Sequence, residues 1–196
     1  RLDRDAALLT IEPELLEELL HPTIDRAFPR DPIALGIAAS PGAASGVLCL
    51  TAEEAQNCKR AGEPAILARA ETSPDDVHGM DAAAGVLTLR GGMTSHAAVV
   101  ARGMGLPCVV GAADARIDLD AGVLYSVDGR SFHSGAWITL DGSTGEVLAG
   151  RATTRQPAPT GDLAILMGWA DRRRRLRVRA NADPPADLGT AMRLGV

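Results

Sequence analysis

Residues 91–102 have the types and order needed to take up and hold a phosphoryl group: Gly91-Gly92-Met93-Thr94-Ser95-His96-Ala97-Ala98-Val99-Val100-Ala101-Arg102. Histidine is the nucleophile of the set, because a neutral imidazole keeps a lone pair near physiological pH and can carry a covalent phosphoryl group. The glycine pair lets the backbone come close to an anion. Thr94 and Ser95 offer hydroxyls, and either can cap a following helix by accepting a backbone N–H. A helix that begins here points its unpaired N–H groups and the positive end of its dipole at the same anion. Arg90, on the turn itself, is the candidate cation. Arg102 lies six residues beyond His96, about 600° around a helix, which assigns it a salt bridge or a surface role behind the helix. A lone histidine would read as a capping or packing residue; the length and context of this pattern favour a phosphocarrier.

The elements that must position these residues are visible around them. Val86-Leu87-Thr88-Leu89 is apolar and partly β-branched, a strand feeding the glycine turn. Ala97 to Ala101 continue as a helix, which Gly103 and Gly105 end and Pro107 keeps from resuming. Pro107–Gly111 is the next strand. Upstream, Leu35–Ala39, Gly46–Leu50 and Ala65–Ala68 read as strands, and Thr51 with Glu54 forms a capping box for a helix over 52–60 closed by Gly62. Ser73, Pro74 and Asp76 open a short helix. The acids of Glu71–Met80 suit a helix first turn better than a metal site; Thr72 and His78 are minor site candidates. Downstream, Asp128-Gly129 and Asp141–Gly145 mark two hairpins, with His133 and Trp137 as structural residues. The strand-rich core runs from about Ile33 to Arg151, an α/β arrangement of sheet packed on sheet with helices on one side.

The flanks differ from this core. Residues 1–31 read as helical, with Pro13 opening a helix over Glu14–Leu20 and His21 capping its C-terminus. Gln156–Gly161 is a proline-stiffened linker, and a helix follows from Asp162 to about Arg174. The chain starts at Arg1 without a methionine and ends at Val196 inside another segment, which reads as a piece of a larger protein.

Composition narrows the function. At 196 residues there is room for one sizeable core. A net charge of −5 argues against a general nucleic-acid binder. The arginines at 172–175, 177 and 179 lack interleaved aromatics and read as a solvated face or a domain contact. No apolar run reaches membrane-spanning length and no signal peptide is visible. Cys49, Cys58 and Cys108 are odd in number and lack metal-ligand spacing, as expected of reduced, mostly buried thiols in a cytoplasmic protein.

The Gly91–Arg102 pattern resembles the phosphohistidine signature of the phosphoenolpyruvate (PEP)-utilising enzymes: two glycines, any residue, a hydroxyl residue, any residue, histidine, two small residues, two aliphatics, a small residue, then Arg or Gly. Within that family the chain is similar to the pyruvate, phosphate dikinases. The residues that carry this are Leu20-His21-Pro22, Glu71-Thr72-Ser73-Pro74 with His78-Gly79-Met80, the form Gly92-Met93-Thr94-Ser95-His96, Asp141-Gly142-Ser143-Thr144-Gly145, and Val178-Arg179-Ala180-Asn181-Ala182-Asp183. The resemblance implies a three-layer β/β/α swivelling phosphohistidine domain with helical flanking linkers. It assigns residues 1–32 to a linker from an ATP-grasp nucleotide-binding domain. Residues 33–152 fall to the phosphohistidine domain, and 153–196 to a linker and the start of a PEP/pyruvate-binding barrel. It implies the reaction ATP + orthophosphate + pyruvate giving AMP + pyrophosphate + PEP, in a homodimer, with Mg2+ held by residues outside this chain.

On that basis His96 carries the phosphoryl group, supported by Gly91, Gly92, Thr94, Ser95 and Arg90, and no residue here binds metal. Thr94 matches the threonine on which a regulatory kinase and phosphorylase act; a second dianion there would repel the one on His96. The alternative in the family is a PEP synthase or another PEP-utilising phosphotransferase, and outside it a non-catalytic module with a structural His96. A carrier must visit two sites, so the flanks at about 20–33 and 151–162 are expected to hinge. The chain alone would carry phosphate without turning over.

Overall fold

The computed structural model describes residues 3–12, 16, 20–155 and 161–176. In chain order the elements are α1 (Arg4–Leu9), β1 (Thr23–Ile24), β2 (Pro32–Leu35), β3 (Ile37–Ser40), β4 (Ala43–Cys49), α2 (Ala52–Ala61) and β5 (Ala65–Arg69). A single 3-10 turn (Pro74–Asp76) then runs into α3 (Val77–Ala82), followed by β6 (Gly85–Thr88), α4 (His96–Met104) and β7 (Cys108–Val110). The rest are β8 (Arg116–Asp118), β9 (Val123–Tyr125), β10 (Ser131–His133), β11 (Trp137–Asp141), β12 (Glu146–Ala149), β13 (Thr154–Arg155) and α5 (Asp162–Arg173). Two compact units result, Glu14–Pro157 and a second made of Arg1–Pro13 with Ala158–Val196.

The larger unit is built on an eight-stranded sheet ordered β2-β12-β11-β4-β5-β6-β7-β3. β4 to β7 run parallel and the remaining neighbours antiparallel. The parallel strands are apolar on both faces because both are covered. Leu48, Ile66, Ala68 and Leu87 face one core; Val47, Cys49, Ala65, Leu67 and Val86 alternate with them into the other. A three-stranded sheet, β10-β9-β8, closes the first core with Leu124, Ile117 and Phe132. Ala55 of α2, Met80 of α3 and Ala97, Ala98 and Ala101 of α4 close the second. Small sheet, large sheet and helices make the three-layer β/β/α arrangement.

Local signals placed several elements correctly. Gly62 ends α2 in the left-handed region at φ 75°, and the Asp76 carboxylate accepts from the Ser73 backbone N–H at 2.9 Å. Both hairpins form, Tyr125 pairing with Ser131 and Asp141 with Glu146.

Other expectations are corrected. The single strand expected over Leu35–Ala39 is broken at Gly36 into β2 and β3, which occupy opposite edges of the large sheet. With one residue between them, the sheet must curl until its edges meet. Gly36 sits at that seam: a Cβ there would stand 2.7 Å from both Val109 Cγ1 and the Val110 carbonyl, and its N–H donates to the Gly145 carbonyl at 2.9 Å. The Thr51–Glu54 capping box forms on one side only. Thr51 accepts the Glu54 N–H at 3.2 Å, but the Glu54 carboxylate turns to the Leu50 N–H at 2.7 Å and the Ser134 hydroxyl at 3.0 Å.

The N-terminal flank is not wholly helical. β1 pairs antiparallel with β13, so the two flanks run side by side, pinned by Arg155 and Asp25 at 2.7 Å. The expected helix over Glu14–Leu20 lies outside the described residues except for Leu16 and Leu20, as do residues 156–160 and 177–196. In the smaller unit Arg4 lies over the Trp169 ring at 5.3 Å and Asp5 pairs with Arg173. No helix among the described residues is long and apolar enough to cross a membrane.

Candidate functional site

Parallel strands gather the loops that follow them at one end of the sheet, and in open α/β sheets that end is where ligands bind. Here the loops after β5, β6 and β7 are hydrogen-bonded to one another. Leu89 and Arg90 donate to the carbonyls of Arg69 and Ala70 at 3.1 and 2.9 Å, and Ala112 donates to Thr88 at 3.0 Å. This brings the loop of Thr72 and the loop of Gly111 against the loop of His96. Arg69 holds the first of these from beneath, donating to the Leu50 carbonyl at 3.0 Å with its Nε 3.2 Å from the buried Asp76 carboxylate.

The His96 loop is shaped by close backbone approach. The buried Thr88 hydroxyl donates to the Arg90 carbonyl at 2.7 Å and closes the turn. Gly91 follows at φ 105°; a Cβ there would lie 2.8 Å from the Ser95 Cβ. A Cβ on Gly111, at φ 68°, would stand 2.7 Å from the Gly91 carbonyl oxygen. Gly92 differs: a Cβ there would meet nothing within 4 Å. Gly91 is thus demanded by the fold, while Gly92 leaves open space beside the backbone.

Ser95, and not Thr94, is the N-cap of α4, its hydroxyl accepting the Ala98 N–H at 3.4 Å. Thr94 is exposed. His96 is the first residue of the helix, and no acidic residue lies in the first turn. The positive end of the helix is therefore not neutralised locally, unlike that of α2, where Glu53 and Glu54 occupy the first turn. The His96 ring is half-buried, and its Nε2 is shielded from solvent with no hydrogen-bond partner among the described residues. The Thr72 hydroxyl on the adjoining loop is likewise unpartnered. An unsatisfied buried polar group costs about 1–3 kcal/mol. The Nε2 of His21 is unpartnered too, so what sets His96 apart is its place as the first residue of α4, beside unpaired helix N–H groups.

Arg102 departs from the sequence reading. It is exposed, as a surface role implies, but among the described residues no acid pairs with it and it does not stay behind the helix. It reaches back from the last turn, donating through Nη2 to the Met93 carbonyl at 2.7 Å and through Nη1 to the Ala39 carbonyl at 3.1 Å. The guanidinium thus ties the residue three before His96 to edge strand β3. Arg90 is 75% exposed at the turn, its nearest acid Glu71 at 3.8 Å, so its charge is free to move toward a ligand. His78 lines a separate cleft with Gln56, Lys59, Arg60 and Asp81. His133 lies on β10 and Trp137 stacks under Arg151 at 4.2 Å. Beneath α4 the Cys108 thiol is pushed up to about 12 by burial, against a small opposing pull from Arg102, so it offers no competing nucleophile. Among the described residues no three His, Cys, Asp or Glu side chains gather as a metal would require.

Thr88, Gly111 and Arg102 are the supporting residues that sequence reasoning missed or misplaced. Thr88 carried a faint signal, a hydroxyl inside an apolar strand just before the turn. Gly111 acts across the fold and gave none; Arg102 closes the Gly91–Arg102 pattern, but its helical angle pointed it away from the loop it holds.

Residues 61–145 match the family described as PEP-utilising enzyme, mobile domain. The chain is 48% identical over 194 residues to the pyruvate, phosphate dikinase of Rhizobium meliloti (strain 1021), covering 99% of this chain and 22% of that protein. It is 48% identical over 196 residues to the chloroplastic pyruvate, phosphate dikinase of Flaveria trinervia, covering 99% of this chain and 20% of the other. The chain thus spans about a fifth of the length of the curated relatives it matches. A solved structure, the N-terminal domain of Enzyme 1 - Nitrogen, aligns with a TM-score of 0.32 at 25% identity over 56% of this chain and 36% of that one, too loosely to bear on the fold. The motif around His96 and the near end-to-end identity agree: residues 61–145 match the mobile domain of the PEP-utilising enzymes, and the whole chain is similar to one stretch of the pyruvate, phosphate dikinases.

Proposed function

We propose that this chain is the phosphocarrier part of a pyruvate, phosphate dikinase, in which His96 accepts a group from ATP and delivers a phosphoryl group to pyruvate. The observation that carries the proposal is the uncommitted Nε2 of His96 at the start of a helix with no acid in its first turn. The near end-to-end identity to proteins named for that reaction supports it. Nε2 is shielded as the ring stands, so a turn of the ring or a parting of the Thr72 and His96 loops exposes the lone pair. Nitrogen then attacks phosphorus in line, and AMP leaves with the bonding electrons. The pyrophosphoryl group so formed gives its outer phosphoryl to orthophosphate as pyrophosphate, and the remaining phosphoryl passes to the enolate oxygen of pyruvate.

The chain's own residues hold the transferred anion in place. The N-terminal N–H groups of α4 and the open backbone at Gly92 face it. Thr94 and Ser95 supply hydroxyls, and the exposed Arg90 guanidinium can swing from Glu71 to the phosphoryl oxygens. In the longer protein magnesium would neutralise charge on the nucleotide and on pyruvate, held by residues of the nucleotide and barrel domains. The paired flanks, β1 with β13, leave this unit side by side, as suits a body that swings between two sites. A cytoplasmic setting, a homodimer and control by phosphorylation of Thr94 complete the proposal.

The test uses the full-length protein, wild type and His96→Asn, with ATP, pyruvate and magnesium. PEP and pyrophosphate are followed with and without orthophosphate. Pyrophosphate formed only with orthophosphate, and lost in the variant, is the expected result. PEP formed without any orthophosphate requirement would place the protein with the synthases.

A further inference from the structure

Outside the His96 site, the Cys49 and Cys58 sulfurs stand 3.6 Å apart, both as free thiols. Cys49 is 1% exposed at the end of β4, within the helix-side core. Cys58 is half-buried on α2 and packs against the same core from the solvent side. We propose that this pair is a reversible oxidation site for a hydroperoxide, with Cys58 the thiol attacked first and Cys49 its resolving partner.

The asymmetry of the two environments gives the order. Burial, and then the neighbouring Cys58, hold Cys49 far above an ordinary thiol, so it stays protonated and out of reach of a dissolved oxidant. Cys58 is the member that solvent can approach, and accessible thiols are the ones that peroxides oxidise. In the first step the Cys58 sulfur attacks the peroxide oxygen, the O–O bond breaks, and Cys58 becomes a sulfenic acid as water leaves. In the second, the Cys49 sulfur attacks the Cys58 sulfur, the S–O bond breaks, and the Cys49 proton leaves with the hydroxide as a second water. Two thiols give up two electrons and two protons, and hydrogen peroxide becomes two waters. A disulfide needs about 2.05 Å between sulfurs, so closure asks for about 1.5 Å of approach, within the reach of side-chain rotation on a short helix. Cys108, fully buried under α4, has no such partner and stays reduced. The proposal is independent of phosphotransfer.

Trypsin gives a direct readout, because no Lys or Arg lies between Asp31 and Lys59 and both cysteines fall in one peptide. The purified chain is treated with hydrogen peroxide, its remaining thiols alkylated, and the digest weighed. The expected 31–59 peptide is unalkylated and lighter than the dithiol by about 2 Da, and dithiothreitol restores both alkylation sites. In Cys49→Ser, Cys58 should instead be trapped by dimedone and advance to the sulfinic acid. In Cys58→Ser, Cys49 should oxidise at least about tenfold more slowly than Cys58 does in the wild type. The wild-type map decides the question even if a variant folds poorly. A peptide that stays fully alkylatable, a Cys58 that passes to the sulfinic acid with Cys49 present, or a disulfide-linked dimer would overturn the proposal.

Discussion

Replacing Arg102 by methionine removes the guanidinium that joins Met93 to Ala39 and keeps the apolar stem. Hydrogen bonds from a charged donor contribute about 1.5–3 kcal/mol each where water cannot replace them. Arg102 is exposed, and its Met93 contact can be rehydrated, so the clamp as felt by the loop is worth about 1–2 kcal/mol. If that ordering is needed in the transition state, phosphorylation of His96 slows roughly 5- to 30-fold, since 1.36 kcal/mol is a factor of ten. Global stability falls by no more than the same amount, because both cores are untouched, and a domain of ordinary stability stays folded. Rapid-quench measurement of label entering the full-length enzyme is the assay, with the KM for ATP read alongside. The loss should fall on the rate constant and leave KM within about twofold. Arg102→Lys, which keeps a point charge but not the fork, should recover part of it. A Met variant as fast as the wild type would show that Thr88 and Gly111 hold the loop unaided.

Further outcomes follow from the same geometry. Gly91→Ala places a methyl 2.8 Å from Ser95 at φ 105° and should lower the urea midpoint by about 1–3 kcal/mol equivalent. Gly92→Ala meets no atom and should leave that midpoint unchanged, so any rate loss reports the approach of the donor. Ser95→Ala should cost about 0.5–1 kcal/mol by chemical denaturation, since it removes a long cap bond. The Asp25 carboxyl is held below its ordinary 3.8 by the Ala27 N–H first and then by Arg155. A lowered folded-state pKa adds stability that is full above the unfolded value and is lost as pH falls below it. Asp25→Asn should therefore flatten the acid limb of the stability profile below about pH 4 and leave the neutral region's shape unchanged.

The parts of this molecule legible from its sequence are those decided within a few residues. The Ser73–Asp76 box, the Gly62 stop, the Asp128-Gly129 hairpin and the strand–turn–helix around His96 each rest on neighbours in the chain. The layering was legible from the succession of short strands, hairpins and helices, and the three-layer form from the family resemblance. What escaped depends on contacts far apart in sequence. Gly36 reads as one more strand residue until Val109 and Val110 arrive beside it at the sheet seam. Thr23-Ile24 is too short to signal a strand, and becomes one only because Thr154-Arg155 lies opposite. Glu54 had the spacing of a capping box, yet Leu50 and Ser134 offered its carboxylate better donors. Arg102 was misplaced for a related reason: helical angle locates a Cα, whereas a long side chain can double back to a carbonyl on the loop before its own helix.

The most direct test of the central claim is to look for the phosphohistidine itself. The full-length enzyme is incubated with PEP labelled in its phosphoryl group, and the label is followed through acid, alkali, hydroxylamine and peptide mapping. Label that is lost in acid and to hydroxylamine, survives alkali, maps to the peptide holding His96 and vanishes in His96→Asn is the predicted result. Label that withstands acid, maps to Thr94 or Ser95, or persists in the Asn variant would contradict the account.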